Sequence, residues 1–478
     1  MNGTKQNTRN TIEQDIERPL GAAEEIFWRL DDSSPMNCIA VCDIKGGISE
    51  EDIKAALVSV QKRHPNLRVK VSDRGKEKPW YVSGVDEIPL VVFEDEVDSL
   101  AYVQKELLVP FDSEKGPMVR CALLRQKDGI HKLYLNIHHS ISDGASSVFL
   151  LRDIVQAAGM YRETGACDLE ELQPIEYFRD RLPGNVKGLL GFFRYLYTIF
   201  RLVFGIVPLG APKFLKVKDA VPVEDRELVI LTKKFEPSLM SALYSRAKKE
   251  GTTVHGALFS AIVLASAKDI NEGEPVCVGC ASSVDMRTKL VPPVGEDVGY
   301  FVSVVGSGHK VSSNDALWPL ARDIRDEAKA ALSRKMDMIL MPFPYRLHAW
   351  MGRRIGRRNS AKYAKYLEGA HNPPCIVLTN VGNIGIETQH GPFSIVDMEF
   401  YANPSVLTPF GSLVSTLKGE MRWTLVGSSP VISRQQLEQV FSDAQNYLAD
   451  SIGWTDPEAK KNLDVTKKES GKTEPELA

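Results

Sequence analysis

Two adjacent histidines followed by an aspartate and a glycine are the residues of this sequence best suited to proton-transfer chemistry. They lie in the segment Tyr134-Leu-Asn-Ile-His138-His139-Ser140-Ile141-Ser142-Asp143-Gly144. An imidazole titrates near neutral pH, so a histidine held at the end of a strand can serve as a general base. We expect one of these two histidines to be presented to a channel just before a glycine-containing turn.

The strand before the pair indicates which histidine that is. Leu133, Leu135 and Ile137 share one face of a strand, and a continued period of two places His139 on that face and His138 on the opposite one. The two imidazoles therefore cannot share one task. A metal ion held by both is disfavoured for the same reason, and we predict no metal site.

Asp143 has two structural interpretations. Its carboxylate could pair with an arginine and hold the turn, or it could cap a helix that begins near Ala145 by accepting hydrogen bonds from free N–H groups. We expect these roles rather than direct proton transfer. Gly144 indicates either a positive φ or the close approach of a substrate.

The elements around this segment alternate between strands and helices. A strand near Pro117–Arg125 and a turn at Asp128-Gly129 precede the histidine strand, and a helix over Ala145–Ala157 follows it. The run Thr252–Ala267 is apolar nearly all round and predicts a buried helix. Short strands predict a separate sheet in the second half, near residues 276–284, 301–306, 375–380, 393–400 and 423–427. The fold class is α/β in two lobes, each a mixed sheet with flanking helices.

Length and charge limit the function classes. The 478 residues suggest two or three domains or two large lobes, with 43% hydrophobic residues to form their cores. The 59 Lys and Arg nearly balance the 62 Asp and Glu, which leaves no global field to attract nucleic acid. An odd number of cysteines, seven, favours a reducing, cytoplasmic compartment, with Cys277 and Cys280 as core thiols.

Composition divides the chain into five parts. We predict a mobile N-terminus over 1–18, an N-terminal lobe over 19–185, an apolar linker or helix over 186–222, a C-terminal lobe over 223–455 and a disordered tail over 456–478. We expect the chain to be a monomer.

Two segments, one between the lobes and one within the C-terminal lobe, have more than one interpretation. The apolar stretch 188–207 carries Arg194 and Arg201 on one side of a helix, which fits either peripheral contact with a membrane or an inter-lobe helix packed on protein. A basic cluster over 346–365, interleaved with aromatic residues, could bind the phosphates of a carrier cofactor, an acidic carrier protein or a lipid surface. An ordinary solvated helix face is the alternative.

The motif His138-His139-x-x-x-Asp143-Gly144-x-Ser146 resembles the HHxxxDGxS signature of the chloramphenicol-acetyltransferase-like acyltransferases, the superfamily that includes condensation domains. Arg63-His64-Pro65-Asn66-Leu67-Arg68 is similar to its RHPxLR segment. Thr379-Asn380-Val381-Gly382-Asn383 resembles the SNxGN segment of the alcohol acetyltransferase and polyketide-associated branches. Gly299-Tyr300-Phe301-Val302-Ser303 is similar to a GNxxS segment, with Tyr300 where many relatives have asparagine.

This resemblance implies two lobes of chloramphenicol-acetyltransferase type, arranged as a V around a central tunnel. It implies that His139 is the base, supported by Asp143 and Gly144, and that Asp143 pairs with Arg287 or Arg68. His138, Asn380 and Ser303 would contact substrate, with Asn380 or a nearby backbone N–H as the oxyanion donor.

The function implied is transfer of an acyl group from a thioester donor to a hydroxyl of a lipophilic acceptor. Coenzyme A or the phosphopantetheine of an acyl carrier protein would be a co-substrate, and we expect no bound cofactor. Two alternatives remain: a free-standing condensation enzyme that forms an amide from carrier-bound substrates, and a catalytically silent binding module. An intact motif argues against the silent module, because silent relatives are expected to lose the second histidine.

Overall fold

The protein is described by a computed structural model that covers residues 16–94, 97–126, 129–174, 176–206, 209–217, 221–340, 342–371 and 375–454. Residues 1–15 and the predicted tail 456–478 lie outside the described residues, as does Asp128 of the predicted turn. The predicted domain boundaries stay predictions.

The described residues form three sheets. In chain order the strands are β1 (Glu17–Pro19), β2 (Asn37–Lys45), β3 (Val69–Ser72), β4 (Trp80–Ser83), β5 (Leu90–Glu94), β6 (Val119–Arg125), β7 (Ile130–His138), β8 (Glu227–Phe235), β9 (Val276–Asp285), β10 (Val302–Val311), β11 (Ile376–Asn383), β12 (Gln389–His390), β13 (Phe393–Ala402), β14 (Phe410–Leu417) and β15 (Glu420–Ser429). One six-stranded sheet has the order β12-β13-β2-β7-β6-β5 and the other β10-β9-β11-β14-β15-β8, while β1-β4-β3 form a small third sheet.

Both large sheets are mixed, as predicted. In the first, β5 and β6 are parallel and the remaining pairs are antiparallel. In the second, β11 runs parallel to both β9 and β14. The fold class predicted from the sequence, two mixed sheets with flanking helices, is therefore confirmed.

Helices flank these sheets. Among the described residues they are α1 (Ala22–Leu30), α2 (Glu50–Arg63), α3 (Ser99–Glu106), α4 (Gly144–Thr164), α5 (Gly188–Ile206), α6 (Pro237–Lys249), α7 (Val254–Asn271), α8 (Leu317–Ser333), α9 (Met336–Ile339), α10 (Pro342–Ile355), α11 (Ser360–Ala370) and α12 (Arg434–Ile452). Helix α7 packs in the core of the second lobe and is buried on all sides from Gly256 to Ala267, as its all-round apolar pattern predicts.

The strand predicted near 393–400 does not belong to the sheet of the second half, so that prediction is wrong. Strand β13 pairs antiparallel with β2 of the first lobe, from Ser394 opposite Lys45 to Ala402 opposite Cys38. The alternation of apolar and polar residues in β13 predicts a half-buried strand. Which strand it pairs with depends on contacts between residues distant in sequence. The C-terminal half of the chain thus contributes a strand to the sheet that carries the histidine pair.

No single helix in the described ranges combines the length and apolar composition needed to cross a bilayer, whereas α6 and α7 meet that test together as a pair bent by 96°.

Candidate active site

His139 follows directly after β7, and its ring is fixed in one orientation. Its backbone N–H donates to the carbonyl of Met36, which ties the end of β7 to the residue that precedes β2. The ring Nδ1 lies 2.9 Å from the carbonyl oxygen of Ser142. A carbonyl can only accept, so Nδ1 carries the proton and donates, and Nε2 keeps its lone pair. The turn therefore holds the tautomer that a general base needs.

Two aromatic rings hold the imidazole at the wall of a cavity. Phe27 of α1 stacks parallel to it with ring centroids 5.0 Å apart, and Tyr300 meets it edge-on at 5.3 Å. The ring is half-buried and lines a cavity of about 570 Å³, which is large enough for a small-molecule ligand.

The cavity lies between the two lobes and is mostly apolar. The first lobe contributes Ile26, Phe27, Met36 and His139, and the second contributes strands β9, β11 and β14 with helices α10 and α11. Its polar lining residues include Ser283 and Thr379, together with His348 and His371. An apolar chamber with a few hydroxyls and imidazoles suits a lipophilic substrate better than a charged one.

His138 has surroundings quite different from those of His139. It is fully buried, its Nδ1 lies 2.7 Å from the hydroxyl of Ser140, and its Nε2 lies 3.4 Å from a carboxylate oxygen of Asp31. It does not line the cavity. We therefore assign His138 a structural role rather than the substrate contact predicted from the sequence, since no substrate atom can reach a ring enclosed by protein.

Asp143 is a buried anchor between the lobes. Its two carboxylate oxygens accept hydrogen bonds from the guanidinium of Arg287 at 2.9 and 3.0 Å, and from the backbone N–H groups of Ser146 and Phe301 at 2.8 and 2.9 Å. Both structural interpretations of Asp143 apply together, because it caps α4 and also pairs with an arginine. The carboxylate touches the turn and the second lobe, not the cavity.

Ser146, the last residue of the motif, extends this junction. Its hydroxyl donates to the carbonyl of Gly299, and it accepts from the backbone N–H of Gly299 and from Arg287. Asn66 donates to the carbonyl of Val298 at 2.8 Å. The segment before β10 is thus bound to the motif by several buried hydrogen bonds, and this segment presents Tyr300 to His139.

The structure does not support the roles predicted for Arg68 and Gly144. Arg68 pairs with Glu171 at 2.7 Å, so Arg287 is the arginine that binds Asp143. Gly144 is the first residue of α4 and has no positive φ. A Cβ there would lie 3.2 Å from the side chain of Val381, so close packing against β11, rather than the approach of a substrate, favours glycine.

Asn380 and Ser303, which were predicted from the sequence to contact substrate, do not face the cavity. The side-chain oxygen of Asn380 accepts from the backbone N–H of Gly382 at 2.8 Å, and its neighbour Thr379 lines the cavity instead. Ser303 is fully buried and donates to the carbonyl of Asp337. Side chains alternate along a strand, so one position decides which face a residue takes.

The surroundings of His139 affect its pKa in opposite directions. Burial by itself lowers the pKa of the imidazole, but the neighbouring thiol of Cys38, the Ser142 carbonyl and the charge of Asp143 together raise it above the ordinary value of 6.5. Burial also raises the pKa of the Tyr300 hydroxyl well above its usual value, so Tyr300 stays neutral. His139 is therefore the candidate base of this pair, with Tyr300 as its neutral neighbour.

Phe27, Cys38 and the neutral Tyr300 are functional neighbours that motif spacing does not reveal. Phe27 and Cys38 come from α1 and β2, about 100 residues before the motif, and no pattern in the sequence connects them to it. Tyr300 is visible in the sequence only as a departure from the asparagine common at that position.

Comparison with protein families divides the chain into two matched parts. A model of the condensation domain matches residues 29–179, and a model described as the C-terminus of phthiocerol/phthiodiolone dimycocerosyl transferase matches residues 232–412. One of the linear gramicidin synthase proteins of Brevibacillus parabrevis is 24% identical over 350 residues, which cover 68% of this chain. The chain spans only 4% to 6% of the length of the two gramicidin synthase proteins that it matches.

Solved structures share the fold across nearly the whole chain. The TRI3 trichothecene 15-O-acetyltransferase from Fusarium sporotrichioides has a TM-score of 0.67 at 13% identity, covering 91% of this chain and 95% of that one. The first condensation domain of the calcium-dependent antibiotic synthetase has a TM-score of 0.68 at 12% identity, covering 91% and 96%. The two scores are nearly equal, so the fold alone does not distinguish an acetyltransferase from a condensation domain.

Proposed function

We propose that the chain is an acyltransferase of the chloramphenicol-acetyltransferase-like superfamily, to which its two matched family models point, and that it transfers an acyl group from a thioester donor to a hydroxyl of a lipophilic acceptor. The observation that carries this proposal is the orientation of His139. Its Nδ1 is bound by the Ser142 carbonyl and its ring lines an apolar cavity between the lobes. A neutral imidazole held in this way can take the proton of an alcohol through Nε2 as the oxygen attacks the thioester carbonyl.

The donor in this proposal is coenzyme A or a phosphopantetheine-bearing acyl carrier protein, acting as a co-substrate rather than a resident cofactor. Condensation domains work with carrier-bound substrates, which supports a carrier as one donor. The reaction needs no covalent enzyme intermediate: the new C–O bond forms, the C–S bond breaks, and the proton held by His139 passes to the leaving thiolate. A cytoplasmic location and a monomeric state stay predictions.

Amide formation is the second candidate reaction, favoured by the match to the condensation-domain family over residues 29–179. Thiol release separates the two reactions. The protein is given coenzyme A thioesters of short and long chains, or the same acyl groups on a carrier protein, with either a long-chain alcohol or an amine. We expect release with a coenzyme A donor and a lipophilic alcohol. Release only with a carrier-bound donor and an amine would replace the ester-forming proposal with the amide-forming one.

The pH dependence of the reaction tests the assignment of the base. A general base must be neutral, so activity should fall as the pH drops through the raised pKa of His139, with the acid limb of kcat/KM above pH 6.5. The variant Cys38→Ala removes one of the interactions that raise this pKa and should move the limb to lower pH. The measurement is kcat/KM against pH for both proteins. Activity that does not change across this range would contradict the assignment.

Thr379 replaces Asn380 as the nominated donor to the oxyanion, because Thr379 lines the same cavity as His139 and Asn380 does not. The isosteric variant Thr379→Val should lower kcat by about tenfold or more without changing the melting temperature. Asn380→Ala is the matched comparison. It should lower the melting temperature, because Asn380 holds the N–H of Gly382, whose φ is +82°. An unchanged kcat in Thr379→Val would remove Thr379 from the mechanism.

A further inference from the structure

Helix α5 exposes an apolar stripe along its length. Leu189, Phe193, Leu196, Phe200 and Phe204 recur at spacings of four and three, which places them on one side of the helix. Leu189 is 72% exposed and Phe193 is 58% exposed. Water-exposed apolar residues in such a continuous row mark an interaction site. The alternative that α5 is an inter-lobe helix packed on protein does not account for this face.

The opposite side of α5 attaches it to helix α10. The ring of Phe343 in α10 lies 5.5 Å from Phe192 and 5.1 Å from Tyr195, measured between centroids. These contacts leave the stripe of α5 uncovered.

Helix α10 extends the exposed apolar surface of α5 beyond the contact at Phe343. Leu347 and Trp350 follow Phe343 at spacings of four and three, and they are 55% and 45% exposed. The guanidinium of Arg354, one turn further on, lies over the Trp350 ring at 5.2 Å. Tryptophan beside arginine is typical of side chains that lie at the boundary between lipid and water.

The charges on the outward sides of these two helices are positive and not neutralised. Helix α5 contains no Asp or Glu, and its two arginines, Arg194 and Arg201, lie beside the apolar stripe. No carboxylate among the described residues forms an ion pair with either of them, or with Arg346 or Arg354 of α10. By contrast, the arginines of this region that face α1 are paired, Arg353 with Glu25 for example.

We propose that the stripe of α5 and the outward residues of α10 form a docking surface for an anionic lipid bilayer. The apolar side chains would enter the interface while the flanking arginines meet the negative headgroups. A second copy of this chain fits the surface less well. A symmetric contact would bring the same unneutralised arginines together.

The position of this surface suggests what docking achieves. Pro344, Tyr345 and His348, also in α10, line the cavity that contains His139. A docked protein would therefore hold that part of the cavity wall close to the bilayer, from which a lipophilic acceptor could enter. This last step rests on the proposed function, whereas docking itself does not.

Vesicle co-sedimentation of the full chain tests the docking. The vesicles are phosphatidylcholine alone or phosphatidylcholine mixed with phosphatidylserine. We expect binding to the mixed vesicles that weakens as salt rises. Phe193→Ser/Phe200→Ser and Arg194→Glu/Arg201→Glu should each reduce this binding at least about tenfold. Tyr244→Ser is the matched control, because Tyr244 of α6 is an aromatic residue that is 66% exposed elsewhere on the molecule, and its binding should be unchanged.

Two results would overturn the proposal. One is a wild type that ignores both kinds of vesicle. The other is a wild-type dimer in sedimentation velocity that the two phenylalanine substitutions dissociate, which would make the face an interface between copies. Activity with a lipophilic alcohol dissolved in detergent, measured without vesicles, keeps the proposals separate. Vesicle binding without such activity would contradict the proposed function and leave the docking intact.

Discussion

Replacing His139 with alanine should lower kcat for acyl transfer by about 10²- to 10⁴-fold, the range expected for a lost general base. The effect is assigned to His139 because its Nδ1 is bound and its ring lies on the cavity wall beside Phe27 and Tyr300. His348 and His371 also line the cavity, but they lie outside the motif, on the wall that the second lobe contributes. Thiol release at saturating donor measures kcat. The melting temperature should change little, because the ring is half-buried and its removal enlarges a cavity that already exists.

A second histidine variant controls for non-specific effects of such a change. His309 lies in the edge strand β10, its Nε2 lies 2.8 Å from the hydroxyl of Ser307, and it does not line the cavity. His309→Gln should keep both its activity and its melting temperature near those of the wild type. If His139→Ala retained the wild-type kcat, the role of His139 as base would be refuted.

Replacing Asp143 with alanine should lower the free energy of unfolding by about 3–5 kcal/mol, the typical cost of removing one partner of a buried ion pair. The guanidinium of Arg287 is buried, and it would lose two hydrogen bonds and its compensating charge. The backbone N–H groups of Ser146 and Phe301 would lose their acceptor as well. Activity should fall too, because the same carboxylate holds the turn that orients His139. Urea unfolding and thiol release measure the two effects.

Asp285 offers a matched control for this change. Its carboxylate lies 3.5 Å from the same guanidinium, but it is 56% exposed. Asp285→Ala should therefore cost about 0–1 kcal/mol, as expected for an exposed pair. Asp143→Ala combined with Arg287→Leu should recover part of the lost stability, because the unpaired buried charge is gone. Equal losses in Asp143→Ala and Asp285→Ala would contradict the structural assignment of Asp143.

The features that could be predicted from the sequence are those set by local spacing. The alternation before His139 and the cap at Asp143 depend on fewer than a dozen neighbouring residues, and the structure places both side chains as that spacing requires. Helix α7 is likewise where its apolar pattern predicts it. The spacing of residues within such a pattern determines the local structure, so the local structure can be predicted without the rest of the fold.

Contacts between distant segments could not be predicted in this way. The pairing of β13 with β2, and the positions of Phe27 and Cys38 around His139, depend on how the lobes assemble. Asn380 shows a second limit. A motif resemblance identified the right strand, but the side chain that faces the cavity is the neighbouring Thr379. A shift of one residue reverses which face a strand side chain occupies.

A crystal structure with a non-reactive thioether analogue of an acyl coenzyme A and a long-chain alcohol would test the central claim most directly. We expect the alcohol oxygen within about 2.6–3.2 Å of the Nε2 of His139, with the acyl group beside it in the cavity between the lobes. An analogue and alcohol bound elsewhere, with the imidazole of His139 out of reach of both, would contradict the account.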